Sequence, residues 1–314
     1  MKTPCSILAI FDPTGVDQPA VEKAAILATK FGSRLEIFAC DVGAEAANSA
    51  LINEDVNRAR SQLKAECQSR LETLAKEHRG RGLDVSTDWA AANLLHEGLI
   101  RKIASYNPDL VVKETHHHSI IKRTIITNTD WHLLRDCSVP VLLVKAKPWS
   151  PQMRILACVD PGHHADVAAT FDHEILAWST SLRTALGGQL HVLHSYIPEV
   201  LATAAVSAGT PAVGGELMQE MIDTEQTARA SAILSMVNPY GMEQANVHVQ
   251  LGSPTDSIPA AAHELHMDLV VMGTISRTAL KRILIGSTAE RVLDRLACDV
   301  LAVKPLDFAA DLPF

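Results

Sequence analysis

The strongest constraint on the fold of this chain is that its sequence repeats. Three pairs of segments match in the same order in both halves, and their spacing differs only by a short insertion. The pairs are 6–13 with 154–161, 109–113 with 268–272, and 141–145 with 300–304. A repeat of about 150 residues has the length of a whole domain, which is too long for the repeat unit of a solenoid. The chain is therefore predicted to contain two copies of one domain.

Within each copy, short apolar runs rich in β-branched residues alternate with helical patterns. The strands predicted in the second copy are 155–159, 190–194, 247–250, 269–272 and 300–303. The helical stripes are Ile258, Ala261, Ala262 and Leu265 in the second copy and Val56, Ala59, Leu63, Cys67, Leu71 and Leu74 in the first. Their spacing is that of amphipathic helices. Strands that alternate with helices form a parallel sheet covered on both faces. We predict two tandem doubly wound, Rossmann-like α/β domains.

The boundaries of the two domains follow from proline positions. Pro148 and Pro151 interrupt both strand and helix, so a linker is predicted at 148–152. The domains are then 1–147 and 153–306, and 307–314 is a tail.

Composition excludes several classes of protein. The formal net charge is −8 with no basic run, which argues against nucleic-acid binding. With 47% hydrophobic and 20% charged residues the chain is globular in composition. No apolar run approaches the roughly 18 residues of a membrane span, and the N-terminus does not resemble a signal peptide. The six cysteines contain no CxxC pair, so we expect buried thiols and a cytoplasmic location.

A loop of small residues follows the fourth strand of the second copy. Gly273 and Gly286 allow a ligand to approach the backbone closely, and the segment 286–288 opens a helix, where free amides favour an anion. This arrangement fits a phosphate site. The alternative is that Gly273 merely ends a strand and that Ser287 or Thr288 caps a helix.

The spacing of Gly273, Ser276, Gly286 and Ser287 resembles the G-2x-G-9x-G-[S/T] signature of the universal stress protein family, with serine at the second glycine. The aspartate that closes the first strand, Asp160, and the segments D-L-V-V-M-G and D-V-L-A-V-K-P are also similar to that family. In the first copy, 127–135 resembles the tandem, two-domain E-type members. The resemblance extends over essentially the whole chain, twice. Because domains of this family pair through the last strand, the resemblance also implies that 141–145 and 300–304 pack the halves together as an internal pseudo-dimer. A further homodimer is left open.

The resemblance implies an adenine nucleotide alpha hydrolase-like fold and, as ligand, ATP or ADP, with or without Mg²⁺. By the family pattern, Asp160 would read the adenine, and His194 and Ser195 would lie along adenine and ribose. The residues implied to cradle the phosphates are Met272, Gly273, Ser276, Gly286, Ser287 and Thr288. Ser276 adds a side chain where the family has glycine, although its hydroxyl can donate to a phosphate.

The corresponding loop of the first copy departs further from the signature. Glu114, His117 and Thr127 stand at its three glycine positions. A carboxylate at the strand end repels phosphate, so this copy is predicted not to bind ATP in the family manner although it retains Asp12. We therefore expect one working nucleotide site, in the second copy.

Other constellations are weak. The run 116–118 and the pair 163–164 are consecutive histidines, and neighbours in an extended chain point to opposite faces, which disfavours a metal site. His191 and His194 likewise fall on opposite faces of a strand. No GxSxG or Walker motif is present, so we expect a binding protein, at most a slow ATPase. The segment 200–215 reads as a loop or a lid, and an alternative function is a stress scaffold or carrier of an apolar, lipid-like ligand.

Overall fold

The structure is a computed structural model. It describes residues 2–42, 54–115, 117–118, 123–124, 126–161, 166–201, 215–274 and 286–305. The elements of the first half are β1 (Ser6–Ile10), α1 (Pro19–Phe31), β2 (Arg34–Val42), α2 (Glu54–Gly80), β3 (Val85–Ala92), α3 (Leu95–Tyr106), β4 (Leu110–Glu114), β5 (His117–His118), β6 (Arg123–Thr124), α4 (Asn128–Asp136) and β7 (Val141–Val144). Those of the second half are β8 (Arg154–Cys158), α5 (Asp166–Leu186), β9 (Gln189–Tyr196), α6 (Gly215–Val237), β10 (Val247–Leu251), α7 (Pro254–Glu264), β11 (Leu269–Gly273), α8 (Ser287–Leu293) and β12 (Asp299–Val303).

One sheet runs through both halves. It has ten strands in the order β10-β9-β8-β11-β12-β7-β4-β1-β2-β3, and β5 and β6 form a separate antiparallel pair. Within each half of the large sheet the strand pairs are parallel. The halves meet where β12 pairs antiparallel with β7, with Leu301 opposite Leu142. The predicted α/β fold with two tandem copies is confirmed, and the two final strands join the halves.

The strands are apolar because helices cover them on both faces. All residues of β1, β7 and β12 are buried, and the buried side chains form one cluster on each face of the sheet. Burial on both faces removes the alternation of polar and apolar residues that a half-exposed strand shows. The five strands predicted in the second half agree with β8 to β12 to within two residues at each end.

The repeated D-L-V-V segment has a structural reason for its aspartate. Asp109 Oδ2 accepts hydrogen bonds from the backbone amides of Cys5 and Ser6, at 2.7 and 2.9 Å. Its counterpart Asp268 accepts from the amide of Arg154 at 3.0 Å and from the hydroxyl of Ser150 at 2.8 Å. In each half, therefore, this carboxylate fixes the start of the first strand against the start of its neighbour.

The stripe predicted on α2 is only partly a core stripe. Leu71 is buried, and Cys67 and Leu74 pack against the core, but the side chain of Leu63 is 66% exposed. Leu63 lies at the rim of a cavity rather than against the sheet. Cys5 is also exposed, contrary to the expectation of buried thiols, whereas Cys40 and Cys137 are buried. In the described part of the chain, no helix combines the length and apolar character that crossing a bilayer requires.

Candidate functional site

The carboxyl ends of three neighbouring strands define the candidate site in the second half. The strands are β9, β8 and β11, and the order of the sheet reverses between β8 and β11. Ligands of open parallel sheets bind at such a reversal, beyond the carboxyl ends. Asp160 follows β8 there with its side chain 44% exposed, and Gly273 is the last residue of β11.

His194 on β9 connects this strand to the end of β8, next to Asp160. Its Nδ1 lies 3.1 Å from the carbonyl oxygen of Val159 and 3.8 Å from Asp160 Oδ1, and only 1% of the residue is exposed. Because a carbonyl oxygen only accepts, Nδ1 carries the hydrogen. The imidazole therefore anchors the end of β8 rather than presenting an edge to solvent, and Ser195 beside it is also buried.

A group of side chains from α6 backs His194. Arg229 Nη1 is 3.5 Å from His194 Nε2, and the guanidinium pairs with Glu225 at 2.7 Å and lies over the ring of Tyr196, 4.4 Å from its centroid. Burial raises the pKa of Tyr196. Sequence reasoning did not single out Arg229 or Tyr196. The available signal was the i, i+4 spacing of Glu225 and Arg229, which alone indicates only a helix surface pair.

The two glycines of the loop have different surroundings. A Cβ at Gly273 would stand 2.3 Å from Cε1 of Phe171 on α5, so packing alone favours glycine there. The amide of Gly286 donates to the carbonyl of Thr274 at 3.0 Å, which joins the two described residues on either side of 275–285. Ser276 lies outside the described residues. Met272 is buried and Thr288 is exposed, while Ser287 is the first residue of α8.

A cavity of about 720 Å³ lies along α6, beside the residue that follows Asp160. None of the predicted nucleotide residues that the structure describes is on its wall. Pro161, which follows Asp160, lies on its wall together with Val200, Met221 and Arg229. Its volume falls in the range of about 300 to 1,000 Å³ that small-molecule sites occupy. The segment predicted as a loop or lid begins here, but 202–214 lies outside the described residues.

In the first half, hydrogen-bonded and charged side chains surround the start of α4, which corresponds to α8 of the second half. Thr127 caps α4 and accepts a hydrogen bond from the amide of Asp130, and the Asp130 carboxylate accepts from both the amide and the hydroxyl of Thr127. Asp130 is fully buried and its Oδ1 lies 2.7 Å from Nζ of Lys113. By the repeat, Lys113, Glu114, Thr127 and Asp130 correspond to Met272, Gly273, Gly286 and Ala289. A buried carboxylate therefore stands in the first turn of this helix in the first half, and an alanine stands there in the second.

The histidines do not assemble a metal centre within the described residues. His191 Nδ1 is 3.1 Å from His248 Nε2, and His173 Nδ1 is 2.9 Å from the hydroxyl of Tyr240. No described group of three or more His, Cys, Asp or Glu side chains converges. His116, His163 and His164 lie outside the description.

The fold defines a class first: a tandem α/β protein in which each half has a strand-order reversal, the place where ligands of open parallel sheets bind. The family model described as universal stress protein family matches residues 6–145 and again 153–304. The chain therefore belongs to the universal stress protein family, as a tandem member with two copies of its domain.

Relatives and solved structures agree with this assignment. Universal stress protein E of Escherichia coli (strain K12) is 27% identical over 302 residues, which cover 96% of this chain and 94% of the relative. The crystal structure of a functionally unknown protein from Pseudomonas aeruginosa PAO1 has 27% identity and a TM-score of 0.75, covering 97% of this chain and 94% of that one. A universal stress protein from Archaeoglobus fulgidus DSM 4304 shares the fold, with 18% identity and a TM-score of 0.61 over 95% and 98% of the two chains.

Proposed function

We propose that this stress-response protein binds an adenine nucleotide, ATP or ADP, in its second half and acts in the cytoplasm as a nucleotide-dependent regulator or scaffold. Asp160 would accept from the adenine amino group, and the loop that begins at Gly273 and ends at Gly286 and Ser287 would hold the phosphates through backbone amides. Ser276 and Thr288 would add hydroxyl donors. His194 and Ser195 would support the wall beside the ribose.

The observation that carries this proposal is the difference between the two halves at the end of the fourth strand. The first half has the carboxylate of Glu114 there, with the ion pair of Lys113 and Asp130 behind it, whereas the second half has Gly273, Met272 and Ala289. A phosphate would meet negative charge in the first half and none from these positions in the second.

A further hydroxyl in the second half supports the same assignment. Thr274 is 1% exposed, and within the described residues its Oγ1 has no hydrogen-bond partner. Its counterpart Thr115 bonds to the carbonyl of Val144 at 3.3 Å. Buried hydroxyls are normally satisfied, so this one invites a partner at the mouth of the loop. The cytoplasmic location is supported by six free cysteines, which are typical of a reducing compartment.

The first test is nucleotide affinity with a control from the other half. Calorimetric titration of ATP and ADP should give binding that Asp160→Ala weakens at least about tenfold, which corresponds to 1.4 kcal/mol. The matched variant Asp12→Ala changes the equivalent carboxylate of the first half and should leave the affinity unchanged. Gly286→Val should abolish binding, because a branched side chain would stand where the phosphates approach.

Two results would overturn the proposal. One is no heat of binding at millimolar nucleotide, together with no nucleotide released from the denatured protein and detected by mass spectrometry. The other is loss of binding in Asp12→Ala with retention in Asp160→Ala. Lipid in the released fraction would favour the alternative of an apolar-ligand carrier, and a time course of ADP formation decides whether bound ATP is hydrolysed.

A further inference from the structure

We propose that the first half contains a second and chemically different binding site. The cavity at the carboxyl ends of β2, β1 and β4 is inferred to bind an organic cation with an apolar or aromatic body. The proposal does not depend on nucleotide binding in the second half, because it rests on different residues.

The size and lining of this cavity fit a small organic molecule. Its volume is about 710 Å³, within the usual range of about 300 to 1,000 Å³ for such sites. Its apolar wall includes Phe11, Trp89, Leu63 and Val42. Leu63 and Val42 are 66% and 51% exposed, although both are large apolar side chains. Exposed apolar side chains grouped around a concavity indicate a surface that a ligand can cover.

Three neighbouring strands end in carboxylates at this cavity. Asp12 follows β1, Asp41 is near the end of β2, and Glu114 ends β4; all three line the cavity. Glu66 on α2 adds a fourth. Because these side chains converge in one partly enclosed place, they favour a positive ligand and disfavour a phosphate.

The second half provides an internal comparison. Strand registers and the repeat place Asp160, Tyr196 and Gly273 where the first half has Asp12, Asp41 and Glu114. Only one of the three carboxylates is present in the second half. The fold therefore does not require acidic residues at these strand ends, and the acidic character belongs to the first half.

The cations that line the cavity already interact with the protein. Lys113 pairs with the buried Asp130 at 2.7 Å. Arg70 donates to the carbonyl oxygens of Pro13 and Gly15 and lies 5.0 Å from the ring centroid of Phe11. These contacts hold the loop after β1 and tie both cations to the cavity wall. The lining carries four carboxylates against the three basic side chains Lys64, Arg70 and Lys113, and Asp130 offsets the charge of Lys113.

The ring of Trp89 on the cavity wall also favours a cationic ligand. Nζ of Lys64 lies 4.1 Å from the ring centroid of Trp89. The face of an indole attracts cations, and an exposed lysine on a helix is easily displaced by a ligand that also buries apolar area. A ligand with an ammonium group and a flat apolar body would contact Trp89 while its charge faces Asp41 or Glu114.

The test uses two fluorescent aromatic probes of opposite charge. The cation berberine should bind, with a rise in its fluorescence, and the anion 1-anilinonaphthalene-8-sulfonate should bind at least about tenfold more weakly. Glu114→Gln and Asp41→Asn keep the shape of the side chains and remove charge. Each should weaken berberine binding about three- to tenfold, and together they should reverse the preference between the probes. Asp160→Asn in the second half is the matched control and should change neither.

Competition and stability measurements complete the design. ATP should not displace berberine, whatever its affinity for the second half, so failure of the nucleotide proposal and failure of this one are distinguishable. Thermal unfolding of each variant verifies that the folded state is retained, and Trp89→Phe provides a second change in the wall that should also weaken berberine. Equal or tighter binding of the anionic probe, displacement by ATP, or berberine binding unaffected by all three first-half variants would overturn the proposal.

Discussion

Gly273 is a residue for which packing gives a reason beside the proposed role in ligand binding. Its Cα faces the ring of Phe171, and a Cβ would come within 2.3 to 2.4 Å of two ring carbons. From sequence, this glycine could be explained either by a strand end or by the approach of a ligand. The structure gives a third reason, which is the side chain of Phe171 on α5. No local sequence pattern could predict this contact, because the two residues are about a hundred positions apart in the chain.

The packing role predicts a loss of stability in Gly273→Ala. Inserting a methyl group into a filled space costs about 1–3 kcal/mol. Urea unfolding should show this loss without nucleotide present. In a double-mutant cycle, Phe171→Leu should recover part of it, because the shorter side chain vacates the position of the clash. Additive effects of the two changes would contradict the packing explanation.

At the scale of elements, the joint between β7 and β12 is held by more than strand pairing. Asp299 at the start of β12 accepts hydrogen bonds from Nζ of Lys23 at 2.6 Å, from Nε1 of Trp149 at 2.7 Å and from the amide of Lys145 at 2.9 Å. Lys23 belongs to α1 and Trp149 to the predicted linker. One buried carboxylate therefore connects a helix and a strand end of the first half with the last strand of the second, and burial raises the pKa of Asp299.

Removal of this carboxylate should be strongly destabilising. In Asp299→Ala the ammonium of Lys23, whose side chain is 6% exposed, stays buried without its counter-charge. Breaking a buried pair in this way costs about 3–5 kcal/mol. The double variant Lys23→Met with Asp299→Leu should be more stable than Asp299→Ala, as measured by chemical unfolding. A single variant within 1 kcal/mol of the parent would show that the pair contributes little.

At the scale of the whole molecule, two lysines exchange contacts between the halves. Nζ of Lys145, after β7, donates to the carbonyl oxygens of Leu296 and Cys298 in the second half. Nζ of Lys304, after β12, donates to those of Leu134 and Arg135 in the first half. The repeated V-x-x-V-K segment thus carries its lysine across the joint in both directions. Burial lowers the pKa of each lysine to about 8.

This shift predicts how stability depends on pH. Between about pH 8 and 10.5 the unfolded chain holds more protons on these lysines than the folded chain, so the free energy of unfolding rises with pH. Burial also raises the pKa of Cys40, Cys137 and Cys298 to about 11, which lowers stability above about pH 9. Because burial raises the pKa of Cys67 and Cys158 as well, the thiols offset the lysines near pH 9. The contribution of one lysine is therefore measured by how its removal changes the slope of the free energy of unfolding between pH 8 and 9. Lys304→Met should reduce that slope, and the exposed-site variant Lys30→Met should not.

Sequence reasoning could reach the fold but only part of the site. The repeat and the apolar strands predict two joined α/β copies, because a strand that is buried on both faces is apolar at nearly every position. The strand-end residues Asp160 and Gly273 follow from the same logic. The roles of Arg229, Tyr196 and Phe171 could not be predicted, since they depend on which helix face meets which strand. The exposed position of Leu63 was likewise hidden, because its spacing on α2 is that of a core residue.

The antiparallel pairing of β7 with β12 determines where the two proposed sites lie relative to each other. Strands of one half run opposite to those of the other, so the carboxyl ends of the two sets of strands point in opposite directions. The two proposed sites would consequently lie on opposite sides of the molecule. A small ligand in one could not touch a ligand in the other, and any coupling between them would have to pass through the strands at the centre of the sheet.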